Sequence, residues 1–230
     1  MRMIFRACVA VAALMVIVTT VSCGKSKKDP LPGGNKLEFY ETYRCGELQI
    51  SKLIDEVAKQ KGDSAANALR GMLTGMQERP VLFFSAKSDT AFVNEMVAQC
   101  RVRILPVDLK LSWTLMPNHP TRDNRYCLVA LKTTGASGLP CMTGKTITDV
   151  KTEKLGEEYA ITIEMNEEGA RQWYKITSNN VGRNIAIVFK NRVYSYPNVK
   201  AGVNGGRTQI TCNFTKEEAN ELAKALRGEK

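Results

Sequence analysis

The sequence predicts an α+β fold, a mostly antiparallel sheet with helices packed on one face. Three observations carry this. Residues 126–133, 147–154 and 158–165 read as strands, the last two joined across Gly156. Residues 184–190 and 192–196 form a hairpin around Asn191. Two capped helices, opened by Asn166 and Thr215, each follow strands in the chain, an order that sets helices against one face of an antiparallel sheet.

The elements follow in order. Arg2 and Arg6 precede an uncharged apolar run over residues 7–18, then Val21-Ser22-Cys23-Gly24, a small residue before a cysteine. A membrane-spanning helix needs roughly 20 apolar residues, and this run is shorter. The pattern predicts a lipoprotein signal peptide over residues 1–22, with lipid attached through a thioether to the Cys23 sulfur. An uncleaved signal anchor or an ordinary secretory signal is the alternative. Two or more acyl chains anchor stably where one is marginal. Residues 23–36, with Lys25, Lys27, Lys28, two prolines and two adjacent glycines, have the composition of a flexible tether.

Residues 37–125 predict a smaller α/β region. A strand over 37–43 leads to helices over 47–59 and 64–76, a buried strand over 80–84 behind Pro80, and a helix capped by Ser88. That helix carries Phe92, Val93, Met96, Val97 and Cys100 on one stripe, and 109–113 is a further strand. The proline-containing segment 116–125 is the boundary to the second region, 126–230. There, Asn166 caps a helix whose first turn holds Glu167 and Glu168, with Ala170, Trp173 and Ile176 facing inward. Residues 207–213 form a strand after Gly205-Gly206. Thr215-x-x-Glu218 is a capping box for a last helix with Ala219, Leu222, Ala223 and Leu226 on one face and Gly228 as its stop.

Composition bounds what the chain does. Without residues 1–22, 208 residues remain, enough for a real core, and the net charge of +10 falls to +8. The basic residues are dispersed among acids, except for the cluster in the tether, which would lie near anionic lipid. This balance and an export signal argue against nucleic acid as a partner. Past Cys8 and Cys23, five cysteines remain: Cys45, Cys100, Cys127, Cys141 and Cys212. They permit two disulfides and a free thiol, Cys127 with Cys141 being the easiest pair to picture, or they are simply small buried residues. No C-x-x-C occurs and His119 is the only histidine, so no zinc-type metal site is expected.

Several phrases in the second region carry a family resemblance: T-G-K-T-I-T-D-V from Thr143, M-N-E-E-G-A-R-Q-W from Met165, I-T-S-N-N-V-G-R-N-I-A-I-V-F from Ile176, R-V-Y-S-Y-P from Arg192, and G-G-R-T-Q-I-T-C-N-F-T from Gly205. With E-E-A-N-E-L-A-K-A-L-R from Glu217, they resemble the first periplasmic domain, chiefly its head subdomain, of the SecD/SecDF protein-export family. The first region resembles the same domain more loosely, in L-E-F-Y-E-T-Y from Leu37, S-D-T-A-F-V-N from Ser88 and Y-C-L-V-A-L-K from Tyr126. The likeness is to Bacteroidetes versions, which implies a Gram-negative envelope and a SecDF head-like second half. In that family the periplasmic domain is thought to engage translocating polypeptide, while membrane helices couple it to the proton gradient. The family's D-L-x-G-G motif and those helices are absent from this sequence, so binding rather than transport is the expectation. The head subdomain has no catalytic role to carry over.

Chemistry read from the residues agrees. One histidine, in the segment M-P-N-H-P, gives no Ser-His-Asp site. The carboxylate pairs Glu157-Glu158 and Glu167-Glu168 sit at a turn and a helix start. Gly205-Gly206-Arg207 reads as a turn rather than an anion cradle, and Asn213-Phe214-Thr215 as a helix cap rather than a glycosylation site. Trp113, Trp173, Tyr174, Tyr194 and Tyr196 are candidates for a peptide surface, with Trp173 expected in the core and the two tyrosines on an exposed hairpin. No catalytic, cofactor-binding or metal residue is expected, and Cys23 is the one modified site. The predicted function is a lipid-anchored, periplasm-facing, non-enzymatic protein that binds unfolded or exported polypeptide, or an envelope partner, by strand-edge or groove capture. The alternative is a structural lipoprotein with one fixed partner and no direct role in protein export.

Overall fold

The computed structural model describes residues 29–115, 124–134 and 138–229. The expected signal peptide, Cys23, the first part of the tether and His119 lie outside the described residues.

The first half contains β1 (Leu37–Thr42), α1 (Ile50–Lys61), α2 (Asp63–Gly71), β2 (Val81–Ser85), α3 (Thr90–Cys100) and β3 (Leu109–Trp113). The second contains β4 (Tyr126–Lys132), the short β5 (Met142–Thr143), β6 (Ile147–Leu155), β7 (Glu158–Met165), α4 (Glu167–Asn179), β8 (Ile185–Phe189), β9 (Arg192–Ser195), β10 (Arg207–Phe214) and α5 (Lys216–Arg227). Every ladder between these strands is antiparallel, and the isolated bridge from Thr114 to Val193 of β9 is parallel. One sheet runs β2-β4-β1-β8-β9, with β3 paired to β4 and β5 to β1, and a second runs β10-β7-β6. β1 lies between β4 and β8, so the two halves of the chain share one sheet across residue 126.

The large sheet curls until β3 reaches β9. Leu115 N–H donates to Val193 O at 2.8 Å, and Ser112 Oγ to Asn191 O at 2.9 Å. Tyr40, Cys127, Val129, Leu131, Ala186, Val188 and Val193 fill the enclosed inner face. The alternate residues of the same strands point outward. Leu128 and Ala130 meet the Val93 and Val97 side of α3 and the Leu53, Ile54 and Val57 side of α1. Ile185, Ile187, Phe189, Leu37 and Phe39 meet α4, α5 and the small sheet. Burial on both faces is why residues 126–131 and 185–189 read as nearly continuous apolar runs, without the alternation of a half-exposed strand.

Local signals place the helices of the second half. Asn166 Oδ1 accepts from Gly169 N at 2.9 Å, and at α5 Thr215 Oγ1 accepts from Glu218 N while Glu218 Oε2 accepts from Thr215 N. Ala219, Leu222, Ala223 and Leu226 are buried, and Gly228 closes the helix in the left-handed region at φ +78°. Thr215→Ala is expected to cost about 1 kcal/mol, read as a lowered urea midpoint at unchanged slope.

Five expectations are corrected here. The helix expected over 47–59 begins at Ile50, because Cys45–Glu47 forms a 3-10 turn in which Glu47 Oε2 accepts from Arg44 N. The helix expected over 64–76 stops at Gly71, since residues 72–74 pair with the edge of β2, with Phe84 N–H on Met72 O at 2.8 Å. Ser88 does not cap α3; its hydroxyl donates to Asp89 Oδ1 instead. Leu31, Gly33 and Gly34 sit against the core. Leu31 N–H donates to Ile147 O at 2.7 Å, and Gly33 lies so close to the Ala225 carbonyl that no Cβ fits. The glycines expected to loosen a tether serve close backbone approach here.

The fifth correction concerns Cys127 and Cys141. Cys127 faces the inside of the curled sheet, whereas Cys141 packs on its outer side with Sγ 3.1 Å from Phe39 O. All five cysteines of the folded region are free thiols, and each packs in or against an apolar cluster from a different place in the chain. Burial pushes the Cys127 thiol up to about 11 and those of Cys141 and Cys212 up to about 12, so none is a ready nucleophile.

A candidate polypeptide-binding groove between α3 and β3

The side of α3 that faces β3 carries Asn94, Val97, Ala98 and Arg101, spaced as one helical stripe. Two hydrogen bonds tie this stripe to β3. Trp113 Nε1 donates to Asn94 Oδ1 at 2.9 Å at one end, and Arg101 Nη2 donates to Leu109 O at 2.8 Å at the other. Between them lies a groove of about 420 Å³ with Val97, Ala98, Leu109 and Leu111 on its walls. The turn before β3 brings Val107 to its rim, fully exposed, and Val102 is 71% exposed nearby.

The backbone along this groove is unusual for a strand. Thr133 N–H donates to Asp108 O and Thr114 N–H to Cys127 O, both at 2.9 Å, which sets the phase of the β3–β4 ladder. Residues 108, 110, 112 and 114 therefore bond toward β4, and 109, 111 and 113 turn their backbone groups to the opposite edge. Arg101 occupies the Leu109 carbonyl, and β9 closes the far end of the edge, bridging at Thr114–Val193 with Asn191 O already bonded to Ser112 Oγ. Among the described residues, no strand pairs with the outward N–H and C=O of Leu111. The groove thus offers a short open strand edge beside an apolar helix face.

Two other edges, those of β2 and β6, are less open. The β2 edge is covered by residues 72–74. β6 is a longer edge, but Leu31 and Arg227 bond to its Ile147 and Val150 carbonyls, and Lys151 and Lys154 stand along the rest. Charged residues of that kind discourage pairing with a further strand.

The aromatic candidates fall in three places. Trp173 is 1% exposed and packs on Phe39 with ring centroids 5.0 Å apart. Tyr194 and Tyr196, expected on an exposed hairpin, turn inward: Tyr194 lies between Phe189 and Phe214, and Tyr196 Oη reaches Cys127 Sγ at 3.8 Å. Burial drives the Tyr196 phenol far above its ordinary range. Trp113 is buried but holds the wall of the groove, and Tyr174 is half exposed beside a shallow dip of about 250 Å³ with Gly205. Gly205 and Gly206 form a turn, both at positive φ, as the sequence indicated. The groove itself carries no sequence signal, because it is the space between a helix and a strand that only the fold brings together.

Among the described residues, no group of three histidine, cysteine or carboxylate side chains is arranged to hold a metal ion. None of their helices is long and apolar enough to cross a membrane.

Comparison with known proteins gives a consistent set of likenesses. Residues 126–230 match the family model of the SecDF P1 head subdomain. The protein translocase subunit SecD of Rhodothermus marinus is 34% identical over 164 residues, which is 70% of this chain and 26% of that protein. SecD of Aquifex aeolicus is 35% identical over 112 residues, 47% of this chain and 20% of that protein. The chain therefore spans about a quarter or less of the length of these relatives. A solved structure of a membrane component SecDF that enhances protein export covers 84% of this chain and 94% of its own, at 18% identity and a TM-score of 0.39. One of SecDF in a super-membrane-facing form covers 91% of this chain and 30% of its own, at 16% identity and a TM-score of 0.38.

Proposed function

Starting from a SecDF-type P1 head subdomain over residues 126–230, we propose that this protein binds extended polypeptide without chemical turnover, in the service of protein export or of folding after export. The observation that carries the proposal is the open backbone of Leu111 beside the Val97 and Ala98 face of α3. Main-chain hydrogen bonds to a strand edge recognise extended chain whatever its sequence, and an adjacent apolar wall accepts every second side chain. The protein acts facing the periplasm, held to a membrane by lipid on Cys23. The five free thiols of the folded region, all raised by burial, supply no nucleophile for an enzyme at this groove.

Binding is tested with the full chain and fluorescein-labelled, nine-residue peptides of alternating valine and threonine, read by fluorescence anisotropy. Saturable binding that is lost when alternate peptide amides are N-methylated is expected; no measurable affinity for any extended peptide would sink the reading. In cells, crosslinking should trap many exported chains, whereas a single stoichiometric partner would favour a fixed structural role. For the anchor, Cys23→Ser is expected to move the protein from the membrane fraction to the soluble periplasmic fraction. Retention in the membrane by the variant would refute lipid attachment at that residue.

A further inference from the structure

The charge around the groove narrows what it accepts. Its charged lining residues are Arg101 and Lys110, both basic, and among the described residues no carboxylate lines it. Lys110 Nζ is already engaged, 2.8 Å from Tyr40 Oη, 3.7 Å from Glu38 Oε2 and above the Tyr40 ring. Asp108, just before β3, accepts from Tyr43 Oη at 2.7 Å. Glu95 on α3 accepts from Gln99 along the helix. Arg101 differs from these. It spends one N–H on Leu109 O and has no carboxylate partner among the described residues, although it sits where the open strand edge begins. A guanidinium has five donors in a planar fork, so several remain for a ligand.

The geometry points to an extended segment carrying a carboxylate as the preferred occupant. Its backbone would pair along Leu111, an apolar side chain would lie on Val97 and Ala98, and an aspartate or glutamate would meet Arg101. This rests on the polypeptide-binding reading of the groove and adds a selection to it: acidic extended segments are taken first and basic ones last. Arg103, exposed on the adjoining turn, adds to the same sign of field.

The test uses the full chain and three alternating valine–threonine peptides that differ only at the central residue: glutamate, glutamine or lysine. Anisotropy is measured at low salt and at about 1 M salt, where the Debye length falls to about 3 Å. The glutamate peptide is expected to bind about fivefold tighter than the glutamine peptide, and the lysine peptide weaker again, in the range of a partly exposed ion pair. The gap between glutamate and glutamine should collapse at high salt and in Arg101→Gln, a variant whose folding is checked by its melting temperature and which keeps a donor for Leu109 O. Equal binding of glutamate and glutamine peptides by the unaltered protein overturns the charge selection and leaves the polypeptide reading intact. Failure of all three peptides to bind overturns both. A glutamate preference that persists in Arg101→Gln assigns the selection to another residue and also refutes the inference.

Discussion

Trp173→Ala is expected to destabilise the protein by about 3–5 kcal/mol, the usual cost of emptying a buried aromatic site. Trp173 is 1% exposed and sits where α4 meets the outer face of β1, against Phe39. The same cluster holds Ile187 and Val199, so the cavity would open between a helix and the central strands. Those walls belong to a rigid sheet and cannot collapse into the space. For a domain of this size each kcal/mol moves Tm by about 2–4 °C, giving a fall of roughly 10 °C by differential scanning calorimetry. Trp173 Nε1 has no hydrogen-bond partner among the described residues, so Trp173→Phe also removes a buried unsatisfied donor and should cost much less. If the alanine variant lost less than about 1 kcal/mol, the packing between α4 and β1 described above would be wrong.

Ala98→Trp should cut peptide affinity by about tenfold or more, which is about 1.4 kcal/mol of binding free energy or greater. Ala98 is solvent-exposed on α3 and lines the groove, so an indole there occupies the space meant for ligand. The cost to the fold is small, less than about 0.7 kcal/mol in helix propensity, because Ala98 lies outside the packed core. Tm should hold while anisotropy binding drops, and this separation is what makes the variant informative. Unchanged affinity in Ala98→Trp would move the binding site away from the groove between α3 and β3. Substituting Val97 would be less telling, because its side chain is buried in the core under α3 and a loss of binding could follow from unfolding.

The second half of the chain was the more legible one. The strand at Glu158–Met165 and the caps at Asn166 and Thr215 fall where local chemistry puts them. These signals act within a few residues, and nothing distant competes with them. The first half was less legible for a definite reason. Residues 72–76 continue an apolar helical stripe, but the edge of β2 takes Met72 and Thr74 into backbone pairing, and that tertiary hydrogen bonding outweighs propensity. Gly33 and Gly34 resemble linker residues for the same reason: sequence shows that they lack side chains but not that Ala225 and Gly144 stand against them. Tyr194 looked exposed because a hairpin tip usually is, and the approach of β10 with Phe214 half-buries it.

The sequence by itself determined the α+β class, the strands and helices of the second half and the family resemblance. Each of these depends on residues close in the chain or on phrases kept in order. Only the tertiary structure decided that β1 enters the sheet between β4 and β8, that β3 curls round to β9, and that Cys127 and Cys141 lie on opposite sides of the sheet. It alone set Arg101 and Ala98 beside the edge at Leu111, which is unpaired among the described residues. A groove is made from the gap between two elements, and its position follows from how their buried faces pack on other parts of the chain, which no local pattern encodes.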